Sequence, residues 1–128
     1  MRLGELIGGT TEVCGGDLLL RDAARRMVAG EMGSMGVIAG GKLVGIITER
    51  DLMKAVARGA DPDAVSVDDW MTGSVDTFSP HVEVEEAALW LLESGYRHLP
   101  VVDGDRLLAI LSIRDVLAAV VDPDRGQV

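Results

Sequence analysis

Thr48 and Asp51 stand three residues apart with Arg50 between them, and Ser112, Arg114 and Asp115 repeat the arrangement 64 residues later. A hydroxyl followed three positions on by a carboxylate can serve two chemistries. At a helix start the backbone N–H groups are unpaired and the dipole end is positive, so a phosphate can seat there with the hydroxyl as one more donor. The carboxylate one turn on can accept from two neighbouring hydroxyls, as a ribose presents them, and the arginine offers charge to a phosphate. The same spacing is also that of a capping box, worth about 1 kcal/mol of helix stability. Duplication copies caps as readily as sites, so these residues alone leave both readings open.

Arg97-His98 offers further donors ahead of the strand at Val101, and it reads equally as a solvated loop. The matching positions, Gly33-Ser34, are small and uncharged, so the two sites are not expected to be chemically alike. No nucleophile, base and acid come together in the sequence. Cys14 sits beside Gly15-Gly16 with no histidine near and reads as a small buried filler. His81 and His98 lie 17 residues apart with no cysteine nearby, which is not a zinc spacing. Glu85-Glu86 reads as a solvated face, and neither glycine pair, Gly8-Gly9 or Gly15-Gly16, makes a GxGxxG or P-loop pattern. No catalytic residue and no metal site are therefore expected.

The elements that position these groups come as a repeat. Shifted by 64, Leu20–Lys54 lies over Val84–Ala118 without a gap, with identities at Ala23/Ala87, Val37/Val101, Ile46/Ile110, Arg50/Arg114 and Asp51/Asp115 among others. Upstream, Leu3–Ile7 overlies Val67–Met71. Leu20, Ala23, Ala24, Met27 and Val28 follow helical spacing, as do Val84, Ala87, Ala88, Leu91 and Leu92. Gly30/Gly33 and Gly95 end these helices. Val37-Ile38 and Val101-Val102 read as short strands, Gly40-Gly41 and Gly104-Asp105 as hairpin turns, and Leu43–Ile47 and Leu107–Leu111 as strands buried on both faces. A second helix opens at each Thr/Ser-x-x-Asp, carrying Leu52, Met53 and Val56 or Val116, Leu117 and Val120, and ends at Gly59 or Pro123. A strand-like stretch at Val75–Phe78 precedes the first helix of the second copy. The order is β-α-β-β-α, twice. The fold class is α/β (α+β), with the two copies packed about a pseudo-two-fold axis and a cleft on either side. The expected boundaries are 1–60 for the first repeat, 61–66 for a linker, 67–123 for the second repeat and 124–128 for a tail. Neither copy alone buries much, since about 60 residues hide only ~60% of their unfolded surface.

Composition excludes several classes. The chain has 128 residues, 48% apolar and 26% charged, as in a folded globular protein. Its longest uncharged stretch, Met32–Gly41, is 10 residues, half of the roughly 20 a membrane span needs. A net charge of −9 repels nucleic acid and anionic lipid, so neither is an expected partner. One cysteine and no basic-then-apolar leader in Met1–Glu12 fit a cytoplasmic location.

Gly45-Ile-Ile-Thr-Glu-Arg-Asp51, Ala109-Ile-Leu-Ser-Ile-Arg-Asp115, Arg97-His98-Leu-Pro-Val-Val102 and the lead-in Val67-Asp-Asp-Trp-Met-Thr72 carry a resemblance to a tandem pair of CBS domains, a Bateman module, over about residues 3–121. The resemblance implies a regulatory module rather than an enzyme, with no required cofactor. It implies an adenosine-containing ligand (AMP, ADP, ATP or S-adenosylmethionine) between the copies, the Asp on the ribose hydroxyls and the Thr or Ser and basic residues near the phosphates. Carried over, one cleft uses Ser112, Arg114 and Asp115 with Met32, Gly33 and Ser34. The other uses Thr48, Arg50 and Asp51 with Tyr96, Arg97 and His98, and prefers the more negatively charged ligand. Ser34-Met-Gly-Val37 lacks the basic pair and the proline of His98-Leu-Pro-Val101, a departure from the family pattern on that side. The alternative is a scaffold with empty clefts, whose Asp residues only cap helices. A separate effector protein is implied in either case, its identity open.

Leu89 and Trp90 lie off the core stripe of their helix, where the first copy has Arg25 and Arg26. An apolar pair there has the composition of an interface centre, so a homodimer is expected, as the resemblance also implies. The competing reading tucks Trp90 under the lead-in near Trp70 within one chain.

Overall fold

The structure is a computed structural model and describes residues 1–9 and 11–124. The tail expected at 124–128 lies, beyond Asp124, outside the described residues. The chain divides into two compact units, Thr11–Val75 on the one hand and Met1–Thr10 with Asp76–Val128 on the other.

The Thr11–Val75 unit holds β1 (Val13–Cys14), α1 (Leu20–Ala29), β2 (Ser34–Ala39), β3 (Lys42–Thr48), α2 (Glu49–Ala57), α3 (Val67–Trp70) and β4 (Thr72–Gly73). Its sheet runs β1-β2-β3-β4; β1 is parallel to β2 and the other pairs are antiparallel. β2 and β3 turn at Gly40 and Gly41, φ +58° and +79°, the left-handed pair a two-residue type I′ hairpin needs. Leu20, Ala23 and Met27 of α1 meet Met35 and Val37 of β2, Ile47 of β3 and Ala55 of α2 in one core, with Cys14 and Val67.

The other unit holds a 3₁₀ turn at Leu3–Leu6, α4 (Val84–Ser94), β5 (His98–Asp103), β6 (Arg106–Ser112) and α5 (Ile113–Val121). β5 and β6 pair antiparallel, with a register shift at Val101/Val102 that matches the one at Val37/Ile38. Gly95, φ +77°, ends α4 in the left-handed conformation expected of a helix-terminating glycine. The core gathers Val84, Ala87, Ala88 and Leu91 from α4, Leu99, Val101 and Leu111 from the hairpin, and Val116 and Ala119 from α5.

The compact units do not follow the sequence repeats, because each lead-in folds with the opposite repeat. Leu3 N–H donates to the Val82 carbonyl and Val84 N–H to that of Met1, while Val67 N–H donates to Leu18 and Leu20 N–H to Val65. The backbone bridges Arg2–Glu83 and Leu19–Ser66 are the same contact under the 64-residue offset. Leu3 and Val67 are both 0% exposed, and burial of such side chains contributes about 1.5–3 kcal/mol each. The segment 61–66 is likewise fastened, Arg21 N–H donating to the Pro62 carbonyl and the Arg21 guanidinium pairing with Asp63.

Three expectations need correction. Val75–Phe78 is not a strand: only Phe78 is paired, accepting from Val102 and donating to the Pro100 carbonyl. The chain passes from one compact unit to the other at Val75/Asp76 and so leaves the ladder there. Val28 and Leu92, read as core, are 79% and 63% exposed. Their helices bury a narrow stripe, and each residue lies about 100° past the last buried one. Met53 and Val56 are exposed as well, because α2 turns Asp51 and Ala55 inward instead.

Candidate functional site

Each Thr/Ser-x-x-Asp occupies the strand-to-helix junction the spacing requires. Thr48 caps α2: Asp51 N–H donates to Thr48 Oγ1 (3.3 Å), and Asp51 Oδ2 accepts from Thr48 N–H (2.9 Å) and Thr48 Oγ1 (3.0 Å). Ser112 caps α5: Asp115 N–H donates to Ser112 Oγ (3.1 Å) and Asp115 Oδ2 accepts from Ser112 N–H (3.0 Å). Both are complete capping boxes. The capping role is therefore real at both junctions.

Beyond the caps the junctions differ. Asp51 is 6% exposed, the sole charged or polar side chain buried in the described core. Its second oxygen, Oδ1, accepts from Thr72 Oγ1 of β4 at 3.5 Å. β4 reaches that place by pairing with β3, Gly45 against Gly73 and Ile46 against Thr72. A Cβ on Gly45 would stand 2.7 Å from Met71 Sδ and 2.8 Å from the Thr72 carbonyl oxygen, so only glycine admits β4 without displacement. Asp115 by contrast is exposed at the start of α5, with Arg114 exposed beside it. The matching residue to Gly45 is Ala109, and the matching residue to Thr72 is Gly8, which has no hydroxyl to offer. Thr72 was not singled out from sequence; the offset that pairs it with Gly8 is the signal that finds it.

The segments before the hairpins lie against the junction of their own repeat. Glu49 N–H donates to the Gly33 carbonyl (3.0 Å) and Ser34 pairs with Thr48, which brings Gly33 and Ser34 beside Thr48, Arg50 and Asp51. Met32 N–H donates to the Met27 carbonyl, and its side chain packs against the core of that unit. Ile113 N–H donates to the Arg97 carbonyl (2.8 Å) and His98 pairs with Ser112, which brings Arg97 and His98 beside Ser112, Arg114 and Asp115. Tyr96, 55% exposed, stacks on Trp90 with ring centroids 5.6 Å apart, and Trp90 meets Phe78 edge-on at 4.8 Å. Trp90 is thus half-buried in an aromatic trio of its own unit, whereas Leu89 is 58% exposed. Trp70 has a different neighbour: Arg58 lies over its ring at 5.9 Å.

Arg97 and His98 therefore lie beside a half-buried Ser112 hydroxyl and the exposed Arg114 and Asp115 at the N-terminus of α5. That combination can address a ribose and an anionic group together. Among the described residues no group of three or more His, Cys, Asp or Glu side chains could hold a metal ion. No helix of the described residues is long and apolar enough to cross a membrane.

Known proteins resemble the whole arrangement. The family model for the CBS domain matches residues 12–58 and 67–122. An uncharacterized 17.7 kDa protein of Acidianus ambivalens is 38% identical over 108 residues, 83% of this chain and 65% of that one, so the chain spans less than two thirds of that relative's length. A CBS-domain containing protein of Agrobacterium tumefaciens superimposes with a TM-score of 0.86 at 32% identity, covering 94% of this chain and 99% of that one. A CBS domain protein of Pyrobaculum aerophilum, solved with AMP, superimposes with a TM-score of 0.84 at 24% identity, covering 94% and 98%. A CBS domain pair solved with 5′-methylthioadenosine and S-adenosyl-L-methionine gives 0.87 at 22%, covering 96% and 98%.

Proposed function

Because the chain belongs to the CBS domain family and carries the domain twice, we propose that it is a regulatory, non-catalytic module that binds an adenosine-containing ligand, AMP, ADP, ATP or S-adenosylmethionine. The observation that carries this reading is the exposed Arg114 and Asp115, with the half-buried Ser112, beside Arg97 and His98. Asp115 takes the ribose hydroxyls; Ser112, Arg114, Arg97 and His98 face the phosphates or the sulfonium-bearing chain. Two structural neighbours solved with AMP and with S-adenosyl-L-methionine support the ligand class. Asp51 is engaged by Thr48 and Thr72, so a ligand at that junction must compete with three hydrogen bonds. For that half the helix-cap reading is favoured, and the Ser112 side is the principal site. The module acts on a separate effector in the cytoplasm, and it works as a homodimer through its exposed helix faces.

Thermal unfolding in the presence of AMP, ADP, ATP and S-adenosylmethionine tests the reading. A ligand at 100 times its Kd adds about 2.7 kcal/mol, which raises Tm by several degrees in a chain of this size. No shift with any of the four at millimolar concentration would leave a scaffold that acts through its surfaces alone.

A further inference from the structure

For a strand that covers a buried carboxylate, β4 is held loosely. It is two residues long, and Thr72, Gly73 and Ser74 are all exposed. It makes two register pairs with β3. Its side-chain tie, Thr72 Oγ1 to Asp51 Oδ1 at 3.5 Å, is longer than the ~2.5–3.0 Å of an ordinary O–H···O bond. The two ends of β4 differ. Upstream, Met71 packs against the core and its N–H donates to the Val67 carbonyl at 2.8 Å. Downstream, Ser74 is held at φ +51°, a left-handed conformation that a non-glycine residue keeps only where its surroundings impose it. Docking β4 therefore strains Ser74, and letting β4 go relaxes it. The chain also contains the same junction without this strand. Gly8 and Gly9 match Thr72 and Gly73. Neither belongs to a strand of the described residues, and Gly9 turns at φ +72°. There Asp115 is exposed, whereas Asp51 is buried.

We propose that β4 is a detachable strap over Asp51, anchored at Met71 and released at Ser74. Closed, it buries the carboxylate and occupies Oδ1. Open, it leaves Asp51 facing water, as Asp115 does. The inference rests on the proposed ligand class in one respect, that a freed carboxylate accepts from ribose hydroxyls. It adds a second threshold to that reading. Asp115 takes ligand at once, whereas Asp51 takes it only in the open fraction, and its apparent Kd rises by the reciprocal of that fraction. One chain then responds over two ranges of ligand concentration.

Two variants of the full chain test the strap and leave Asp51 in place. Ser74→Pro fixes φ at about −65° and forbids the closed turn. Thr72→Val removes the hydroxyl and keeps the size. Amide hydrogen exchange is followed by NMR without ligand, with the buried strand residue Val37 as the control for general loosening. Ser74→Pro should speed exchange at Gly73 and Asp51 by about tenfold or more, and Thr72→Val by about threefold or more, with Val37 unchanged. If Ser74→Pro fails to fold, Thr72→Val decides alone. Wild-type rates at Gly73 and Asp51 in the folded variants overturn the strap, and so does an equal rise at Val37. Calorimetry with AMP, ADP, ATP and S-adenosylmethionine in turn, on Asp115→Asn with and without Ser74→Pro, tests the threshold. Ser74→Pro should tighten the remaining site by about tenfold. Equal affinities overturn the threshold while the strap stands. Binding of none of the four to the wild type overturns the ligand reading and the threshold with it, and the exchange rates still decide the strap.

Discussion

Thr72 Oγ1 lies 3.5 Å from Asp51 Oδ1 and makes one duplicated junction unlike the other. It joins the lead-in of the second repeat to the helix cap of the first, inside the Thr11–Val75 unit. Its counterpart Gly8 has no side chain to make the same bond to Asp115. Equivalent carboxylates thus have unequal surroundings, one buried under β4 and the other exposed.

Asp51→Asn should therefore destabilise the fold more than Asp115→Asn. The first change weakens a buried acceptor of three hydrogen bonds and should cost about 1–3 kcal/mol; the second weakens an exposed cap, at ~1 kcal/mol or less. Urea unfolding with equal m-values for the two variants measures the difference. Equal losses would mean that Thr72 and burial add nothing to the cap.

The opposite ranking holds for ligand. Calorimetry with whichever nucleotide raises Tm should show Asp115→Asn weakening affinity roughly tenfold to a hundredfold, the worth of a hydrogen bond to a charged acceptor. An unchanged Kd would remove Asp115 from the site.

Gly45→Ala should cost about 1–3 kcal/mol, the range for overpacking. The added methyl meets the Thr72 carbonyl at 2.8 Å and must push β4 away. Amide exchange at Gly73 and at Asp51 should accelerate together in this variant. Acceleration at neither would show that the sheet absorbs the methyl elsewhere.

Acid should weaken one tie between 61–66 and α1. The hydrogen bond from the Arg21 guanidinium, more than its charge alone, holds the Asp63 carboxyl below its ordinary value. A carboxyl lowered by folding stabilises fully above its unfolded pKa, near 3.9, and loses that stabilisation as pH falls through the lower folded value. Asp63→Asn should flatten the fall of stability below about pH 4 and leave its shape at neutral pH alone. Both groups are exposed, so the effect is small and disappears in high salt. A steeper acid fall in the variant would contradict the assignment.

Much of this architecture was legible because it is local. Both hairpins follow from glycine at their turns, the end of α4 from Gly95, and both caps from a hydroxyl three residues before an aspartate. Three features were hidden for physical reasons. Periodicity does not say which of two similar repeats a lead-in joins, so the placement of Leu3 and Val67 was invisible. An apolar residue at the margin of a helical stripe has the same spacing whether it is covered or not, hence Val28 and Leu92. The burial of Asp51 depends on Gly45 and β4, more than twenty residues apart in the chain. The cover that Phe78 and Tyr96 give Trp90 was hidden too, because both lie outside its own helix.

The exchange of lead-ins orders the events of synthesis. The stretch 11–75 has all its parts once residue 75 has left the ribosome. Residues 1–9 are made earlier than any of it, yet their partners Pro80, Val82 and Val84 follow it. At roughly 5–20 residues per second the α5 end of that unit trails by several seconds. For that time Leu3 has no core to enter, and a segment made before the 11–75 unit is enclosed after it.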